Sequence, residues 1–268
     1  MLQSSRNSLS RTLQQVNSAI DAGQAAPVAR GLLDVVSVLA ENAQLRKVLA
    51  DASIEASRKD GLLASLFSGQ VDGTALEIAT AAAGQRWART QDYVTALEVA
   101  GVTAVAAEAQ AAGQLGRVEE EVFRFSRLTE SDHQLGWALG SPAPAGAKRT
   151  LVADLLGGRA SDFTLTLVSQ AVSHPRGKRV SEALDEYSST LAARQRRSVA
   201  EVTVAKPLDE AQQERLRAAL SASYGRELVL NVTVDPTVVG GVRVRVGDEV
   251  MNGSISDRLS DVRRRLTS

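Results

Sequence analysis

The spacing of the apolar residues changes near Ser198 and divides the chain into a helical part and a part that alternates like β-strands. Before this point apolar residues such as Val118 and Val122 recur every three or four positions between charged residues, as in amphipathic helices. After it, Val242 and Val244 alternate with arginines, which predicts half-buried strands. The sequence therefore predicts an α+β chain that is mostly α-helical.

The C-terminal part predicts the order strand, helix, strand, hairpin and helix. A β-rich run begins at Val199, and Asp209 is placed to cap the helix that follows. Leu228 begins a second alternating run, and Gly247-Asp248 suits the tight turn of a hairpin. Asn252-Gly253 then predicts a turn into a final helix. These elements form a small α/β domain.

The helical part contains a repeat at a spacing of about 90 residues. Gln44-Leu45 matches Gln134-Leu135, and Arg58-Lys59, which precedes a leucine pair, matches Lys148-Arg149 before Leu151. The repeat predicts either two similar helical bundles in series or one long helical body. The predicted domains are 1–101 for an extra helical unit, 102–197 for a second helical bundle and 198–268 for the α/β domain.

The composition argues against several classes of function. Lysine and arginine together number 31, as do aspartate and glutamate, so no net charge would draw the chain to nucleic acid or to an anionic membrane. There is no cysteine, and therefore no disulfide and no thiolate metal site. No apolar run approaches the roughly 18–20 residues of a transmembrane helix, and the first residues lack the apolar segment of a secretory signal. We expect membrane association only through a partner.

The search for catalytic constellations finds no candidate. His133 and His174 lack the spacing of a metal-binding helix and are interpreted as surface or loop histidines. Gly146-Ala147-Lys148 lacks the glycine spacing of a phosphate loop and is interpreted as a basic helix N-terminus. The adjacent carboxylates Glu119 to Glu121 point apart on a helix, as on a solvated face. We predict no catalytic residue, no metal site and no cofactor.

Trp87 and Trp137 are the large anchors of a chain with only 3% aromatic residues. Core packing is one interpretation of each. Anchoring of an interface is the other, because tryptophan is over-represented at binding hot spots. The sequence leaves both open. The basic residues Arg194, Arg196 and Arg197 are interpreted as a solvated helix end.

The most specific pattern lies in the C-terminal part. An apolar strand leads into an Asp-Pro turn, a Gly-Gly pair with aliphatic neighbours, a Gly-Asp hairpin and a turn into a leucine-bearing helix. This pattern resembles the C-terminal signature of the δ subunit family of F-type ATP synthases, whose mitochondrial counterpart is the oligomycin-sensitivity-conferring protein. The signature residues are Val234, Asp235, Pro236, Val239, Gly240, Gly241, Val242, Val244, Val246, Gly247, Asp248, Gly253, Ser254 and Leu259.

These signature residues are interpreted as mainly structural, with direct partner contact as the alternative. Gly240-Gly241 permits backbone angles or a close approach that a Cβ would forbid. The chain departs from the family pattern at Asn252, where the family often has aspartate, so a carboxylate role there is doubtful. It also carries an extra helical unit before about Gly101, which is similar to the long actinobacterial δ subunits. The sequence does not specify what this unit contacts.

The resemblance implies a non-catalytic stator subunit of the proton-translocating F-type ATP synthase. Its helical domain would bind the N-terminal segments of the α subunits, and its C-terminal domain the b-type subunits of the peripheral stalk. Proton flow would thereby be coupled to ATP synthesis. The expected location is the cytoplasmic face of the cell membrane, with no nucleic-acid partner. The alternatives are a helical adaptor or regulator unrelated to ATP synthase, and an enzyme built from scattered carboxylates and arginines.

Overall fold

The computed structural model describes residues 1–197, 199–224, 228–235, 242–246 and 249–252. The chain divides into two compact units, Met1–Ala192 and Ala193–Ser268, and the division falls within a helix. The described helices are α1 (Gln3–Asp21), α2 (Ala25–Glu41), α3 (Ala43–Ala50), α4 (Ala56–Phe67), α5 (Gly73–Ala83), α6 (Thr90–Ala111), α7 (Leu115–Ser131), α8 (His133–Gly140), α9 (Ala145–Leu156), α10 (Asp162–Ser173), α11 (Val180–Arg197) and α12 (Glu210–Tyr224). The described strands are β1 (Val199–Val204), β2 (Val229–Val234), β3 (Val242–Val246) and β4 (Glu249–Asn252).

The lengths of the helices recur within the helical unit. Helices α2 to α5 have 17, 8, 12 and 11 residues, and helices α7 to α10 have 17, 8, 12 and 12. The turn before each series is also the same, since Gly23 and Gly113 both adopt a positive φ, of 78° and 67°. Glycine is favoured there because it has no Cβ to clash in the left-handed conformation. This repetition supports the predicted duplication.

Helix α6 is continuous over 22 residues, so the boundary predicted at residue 101 lies in the middle of a helix. Helix α6 follows the last helix of the first series, α5, and precedes the first helix of the second series, α7. We propose that the two copies share α6, with a first copy of α1–α6 and a second copy of α6–α11. The alanine-rich sequence suits this position, because small side chains allow helices to approach on several sides of α6.

Glycine allows α2 to lie close to its neighbours. A Cβ built on Gly31 would come within 2.6 Å of the Ala75 Cβ on α5, and one on Gly101 within 2.8 Å of a Leu33 methyl. Both distances are shorter than any ordinary carbon–carbon contact. The two glycines therefore set how closely α2 packs against α5 and α6. The core they help to close is built mainly from alanine, valine and leucine.

The C-terminal unit contains a four-stranded sheet in the order β2-β1-β3-β4. Strands β1 and β2 are parallel and are connected through α12, whereas β3 pairs antiparallel with β1 and with β4. One face of the sheet is apolar, with Val202, Val244 and Val246 buried, while Arg245 pairs with Glu201 on the exposed face. The predicted α+β class and the order strand, helix, strand and hairpin are confirmed; the predicted last helix lies outside the described residues.

Helix α12 begins with a reciprocal cap, as predicted for Asp209. The Gln212 backbone N–H donates to Asp209 Oδ1 at 2.7 Å, and the Asp209 N–H donates to Gln212 Oε1 at 3.0 Å. This arrangement satisfies two backbone donors that a helix start would otherwise leave without partners.

Candidate interaction surfaces

A buried polar cluster holds the turn between α10 and α11 against α6. Arg176 forms an ion pair with Glu98 Oε2, and the Tyr187 hydroxyl donates to Glu98 Oε1 at 2.8 Å. The side chains of Arg176 and Glu98 are only 6% and 3% exposed. Burial raises the pKa of Glu98, although Arg176 opposes the shift. Both groups are buried and paired with each other, which indicates a structural role for the cluster.

A second polar cluster joins α7 to the start of α10. Glu121 Oε2 accepts hydrogen bonds from the Ser161 backbone N–H at 2.9 Å and the Thr164 hydroxyl at 2.6 Å. Burial alone would raise the pKa of Glu121, but these bonds and Arg117 bring the pKa below its usual value. The prediction that Glu119 to Glu121 form a solvated face is therefore wrong for Glu121, because helix spacing turns it toward α10.

Two basic residues lie where the sequence predicts them, in a loop and at a helix N-terminus, but both are buried. His174 follows α10, as a loop residue would, but its side chain is buried rather than on the surface, and burial lowers its pKa. Lys148 lies in the first turn of α9 and is also buried. Lys59 holds the same fourth position in helix α4 of the first copy. It donates to the Ala83 carbonyl at 2.8 Å and so caps the end of α5. His133 is exposed, as predicted.

The two tryptophans have different environments. Trp87 is buried, its Nε1 donates to the Ala82 carbonyl at 2.8 Å, and its ring packs 6.0 Å from that of Tyr93. Trp137 on α8 is 77% exposed. Trp87 is therefore a core residue, whereas the exposed ring of Trp137 is available to anchor an interface.

Exposed apolar side chains accompany Trp137 on the second copy. Phe123 and Leu128 on α7 are 47% and 44% exposed. The Arg127 guanidinium lies 5.2 Å from the centre of the Phe123 ring, a cation–π distance. A cavity of about 390 Å³ lies beside Trp137, with His133 among its lining residues. Exposed aromatic and aliphatic groups of this size are typical of protein-binding surfaces.

Some signature residues lie within the described sheet. Val244 and Val246 point into its apolar face, Val242 is half-buried, and Val234 at the end of β2 is 44% exposed. The Asp235 backbone N–H donates to the Val204 carbonyl at 2.9 Å and continues the pairing of β2 with β1. The signature residues outside the described part of the chain are Pro236, Val239, Gly240, Gly241, Gly247, Asp248, Gly253, Ser254 and Leu259.

Two classes of site are not found among the described residues. No group of three or more histidine, aspartate or glutamate side chains is placed to hold a metal ion there. Within the same residues, no helix combines the length and the apolar character that crossing a bilayer requires.

Comparison with known proteins identifies the family. The family model for the ATP synthase delta (OSCP) subunit matches residues 102–266. Curated proteins called ATP synthase subunit delta are similar over nearly the whole chain. The protein from Thermobifida fusca is 40% identical over 98% of both chains, and that from Streptomyces griseus 39% identical over 99% of both. The protein from Streptomyces coelicolor is 43% identical over 94% of this chain and 91% of its own. The chain therefore belongs to the ATP synthase delta (OSCP) subunit family.

Proposed function

We propose that this protein is a non-catalytic stator subunit of the F-type ATP synthase. It would connect the catalytic headpiece to the peripheral stalk, so that the headpiece does not turn with the rotor and proton flow drives ATP synthesis. The observation that carries the proposal is the similarity to ATP synthase delta subunits over nearly the full length of the chain.

The division into two compact units suits a connector. One unit would bind the N-terminal segments of the α subunits and the other the b-type subunits of the stalk. A connector that holds two partners at once gains avidity, because after the first contact the second becomes intramolecular. The helical unit would receive amphipathic helices, the common recognition mode of helical surfaces. The exposed Trp137 and Phe123 offer apolar anchors for such a contact.

The other parts of the proposal follow from this role. A stator needs slow dissociation and stiffness rather than a reacting group, so we predict no cofactor, no metal and no nucleic-acid partner. The protein would lie at the cytoplasmic face of the cell membrane and be held there by the complex. The signature residues Gly240 and Gly241 would shape the C-terminal fold, with Val244 and Val246 in its core.

Binding to synthetic partner segments tests this assignment. The full chain is titrated calorimetrically with a peptide of the α-subunit N-terminus, then with a peptide of the C-terminus of the b-type subunit. We expect both to bind at once, since each would use a different unit. Scrambled peptides of the same composition serve as controls. Failure of both peptides to bind would contradict the assignment, and competition between them would contradict the two-unit scheme.

A further inference from the structure

The equivalent helices α2 and α7 end differently in the two copies. In the first copy, Arg46 on α3 folds back over the end of α2, and its Nη1 donates to the carbonyls of Leu39 at 2.6 Å and Ala40 at 2.7 Å. Both carbonyls belong to the last turn of α2, where the negative end of the helix dipole favours a cation. The guanidinium of Arg46 therefore caps α2.

Glycine replaces this arginine in the second copy. Helices α3 and α8 each have eight residues, with the pair Gln-Leu at their second and third positions. Gly136 is the fourth residue of α8 and so corresponds to Arg46, the fourth residue of α3. The carbonyls that match the capped pair, about 90 residues further on, belong to Thr129 and Glu130. Among the described residues, no side chain donates a hydrogen bond to either carbonyl.

A cavity of about 390 Å³ is lined by all three of these second-copy residues, Thr129, Glu130 and Gly136. Gly136 lies so close to the end of α7 that a Cβ built on it would come within 2.7 Å of the Thr129 carbonyl oxygen. A side chain at this position would displace the helix end, so α8 cannot supply the cap that α3 supplies in the first copy. The cavity is thus open to a group from another molecule.

Two further acceptors and an aromatic ring line the cavity. Glu130 pairs with Arg127 through Oε2 at 2.6 Å, and its Oε1 has no donor among the described residues. Ser181 is only 6% exposed, and its hydroxyl has no hydrogen-bond partner there, although the hydroxyl is not fully enclosed. The ring of Trp137 is exposed and can face a cation. A guanidinium, which is planar and has five N–H donors, matches these groups.

The positive charge at the rim of the cavity is already paired. Arg179 lines the cavity, and its Nη2 lies 2.9 Å from Glu182 Oε1. Glu182 also accepts from the Arg179 backbone N–H at the start of α11, where a carboxylate offsets the positive end of the helix dipole. The ionised lining residues are Glu130 and Arg179, whose charges of −1 and +1 sum to zero. The cavity therefore does not repel a cation.

We propose that this cavity receives an arginine side chain of a partner protein, whose guanidinium donates to the end of α7 as Arg46 does to the end of α2. The exposed Phe123 and Leu128 lie on α7 as well, so a polypeptide that carries the arginine has apolar surface to pack against. This surface favours a protein over free arginine as the ligand. The inference does not depend on the complex to which the chain belongs.

Binding of small probes to the full chain tests the site. Nα-acetyl-argininamide supplies the guanidinium, Nα-acetyl-citrullinamide has nearly the same shape without the charge, and Nα-acetyl-lysinamide has a cation without the planar group. The chain has two tryptophans, so NMR can follow both indole N–H signals. The Trp137 signal should shift with the arginine compound, with a Kd in roughly the low millimolar range. The signal of the buried Trp87 should stay in place.

Two results with these probes would overturn the proposal. One is equal binding of the citrulline or the lysine compound, because the site would then not recognise a guanidinium. The other is no binding of the arginine compound at about 20 mM.

Variants of the chain test where the probe binds. Glu130→Gln removes the carboxylate that lines the cavity and should weaken binding roughly fivefold. Asp154→Asn, on the exposed surface of α9 and outside the cavity, should leave binding unchanged. Unfolding midpoints establish that both variants are folded. Unchanged binding by folded Glu130→Gln would overturn the proposed position.

An arginine flanked by leucines distinguishes a protein partner from the free amino acid. Nα-acetyl-leucyl-arginyl-leucinamide should bind at least about fivefold more tightly than free arginine, because its leucines can contact the apolar surface of α7. Equal or tighter binding of free arginine would overturn the assignment of the site to a partner protein.

Discussion

The substitution Arg176→Met tests the account of the buried cluster most sharply. It removes the cation that faces Glu98 and leaves a carboxylate buried in the middle of α6 with only the Tyr187 hydroxyl as partner. Breaking a buried ion pair from one side costs about 3–5 kcal/mol. Since small proteins are stable by only about 5–15 kcal/mol, this is a large fraction of the stability of the helical unit.

Urea unfolding followed by circular dichroism at 222 nm measures this loss. With an m-value of about 2 kcal/mol/M, the midpoint of the helical transition should fall by roughly 1.5–2.5 M. The control is Arg86→Met, at the corresponding position of the first copy, where the side chain is exposed. This control substitution should change the free energy of unfolding by no more than about 0.5 kcal/mol. A loss in Arg176→Met no larger than that of the control would refute the reasoning.

The pH dependence provides a second check on the same variant. Without Arg176, only the Tyr187 hydrogen bond and the more distant Lys178 oppose the effect of burial, so the folded-state pKa of Glu98 lies further above its unfolded value. A raised pKa means that the folded state takes up a proton more readily than the unfolded state. The deficit in the free energy of unfolding should therefore shrink as the pH falls from 7 to 5. Adding Glu98→Gln should recover part of the loss at pH 7.

Three further predictions use unfolding measurements. Gly31→Val should lower the free energy of unfolding by at least about 1–3 kcal/mol, because the new Cβ would overlap the Cβ of Ala75. Gly61 lies in open space on α4, so Gly61→Ala should raise the free energy of unfolding by about 0.5–1 kcal/mol. Trp87→Ala should lower the free energy of unfolding by about 3–5 kcal/mol, because Trp87 is buried. Trp137→Ala should leave the stability of the isolated chain unchanged, because Trp137 is exposed, but should weaken the assembly of the chain with its partners. His174→Gln should reduce the loss of stability between pH 7 and 5. Burial lowers the pKa of His174, so the unfolded chain takes up this proton more readily than the folded chain as the pH falls.

Opposite results would be equally informative. Similar unfolding midpoints for the two glycine variants would mean that α2 and α5 separate without cost. A destabilising effect of Trp137→Ala would place its ring in the core, and unchanged assembly would remove it as a partner anchor. For the histidine, the exposed His133 offers a control substitution to glutamine, and equal effects of the two substitutions would exclude burial as the cause.

Much of the fold could be predicted from the sequence because periodicity and capping are local signals. The stripe at Val118 and Val122, the alternation at Val244 and Val246, and the cap at Asp209 each depend on neighbouring residues. The repeat was also visible, since it preserves turn glycines and leucine pairs.

What depends on tertiary contacts could not be predicted. The sequence does not show that α6 runs unbroken through Gly101, because a helix boundary inside an alanine-rich segment has no local signal. Nor does it show that Glu121 meets Thr164 or that Glu98 meets Arg176, since these pairs are far apart in the chain. An isolated glutamate among apolar α6 residues was the one available sign that Glu98 is buried.

Proton pumping in reconstituted membrane vesicles tests the stator function most directly. Vesicles that carry the ATP synthase are stripped of this subunit, and ATP hydrolysis and acidification are measured with and without the full chain. We predict that the chain restores ATP-driven acidification to vesicles that cannot otherwise acidify, because it reconnects the headpiece to the stalk. Acidification that is equally strong without the chain, or that the chain fails to restore, would contradict the stator assignment.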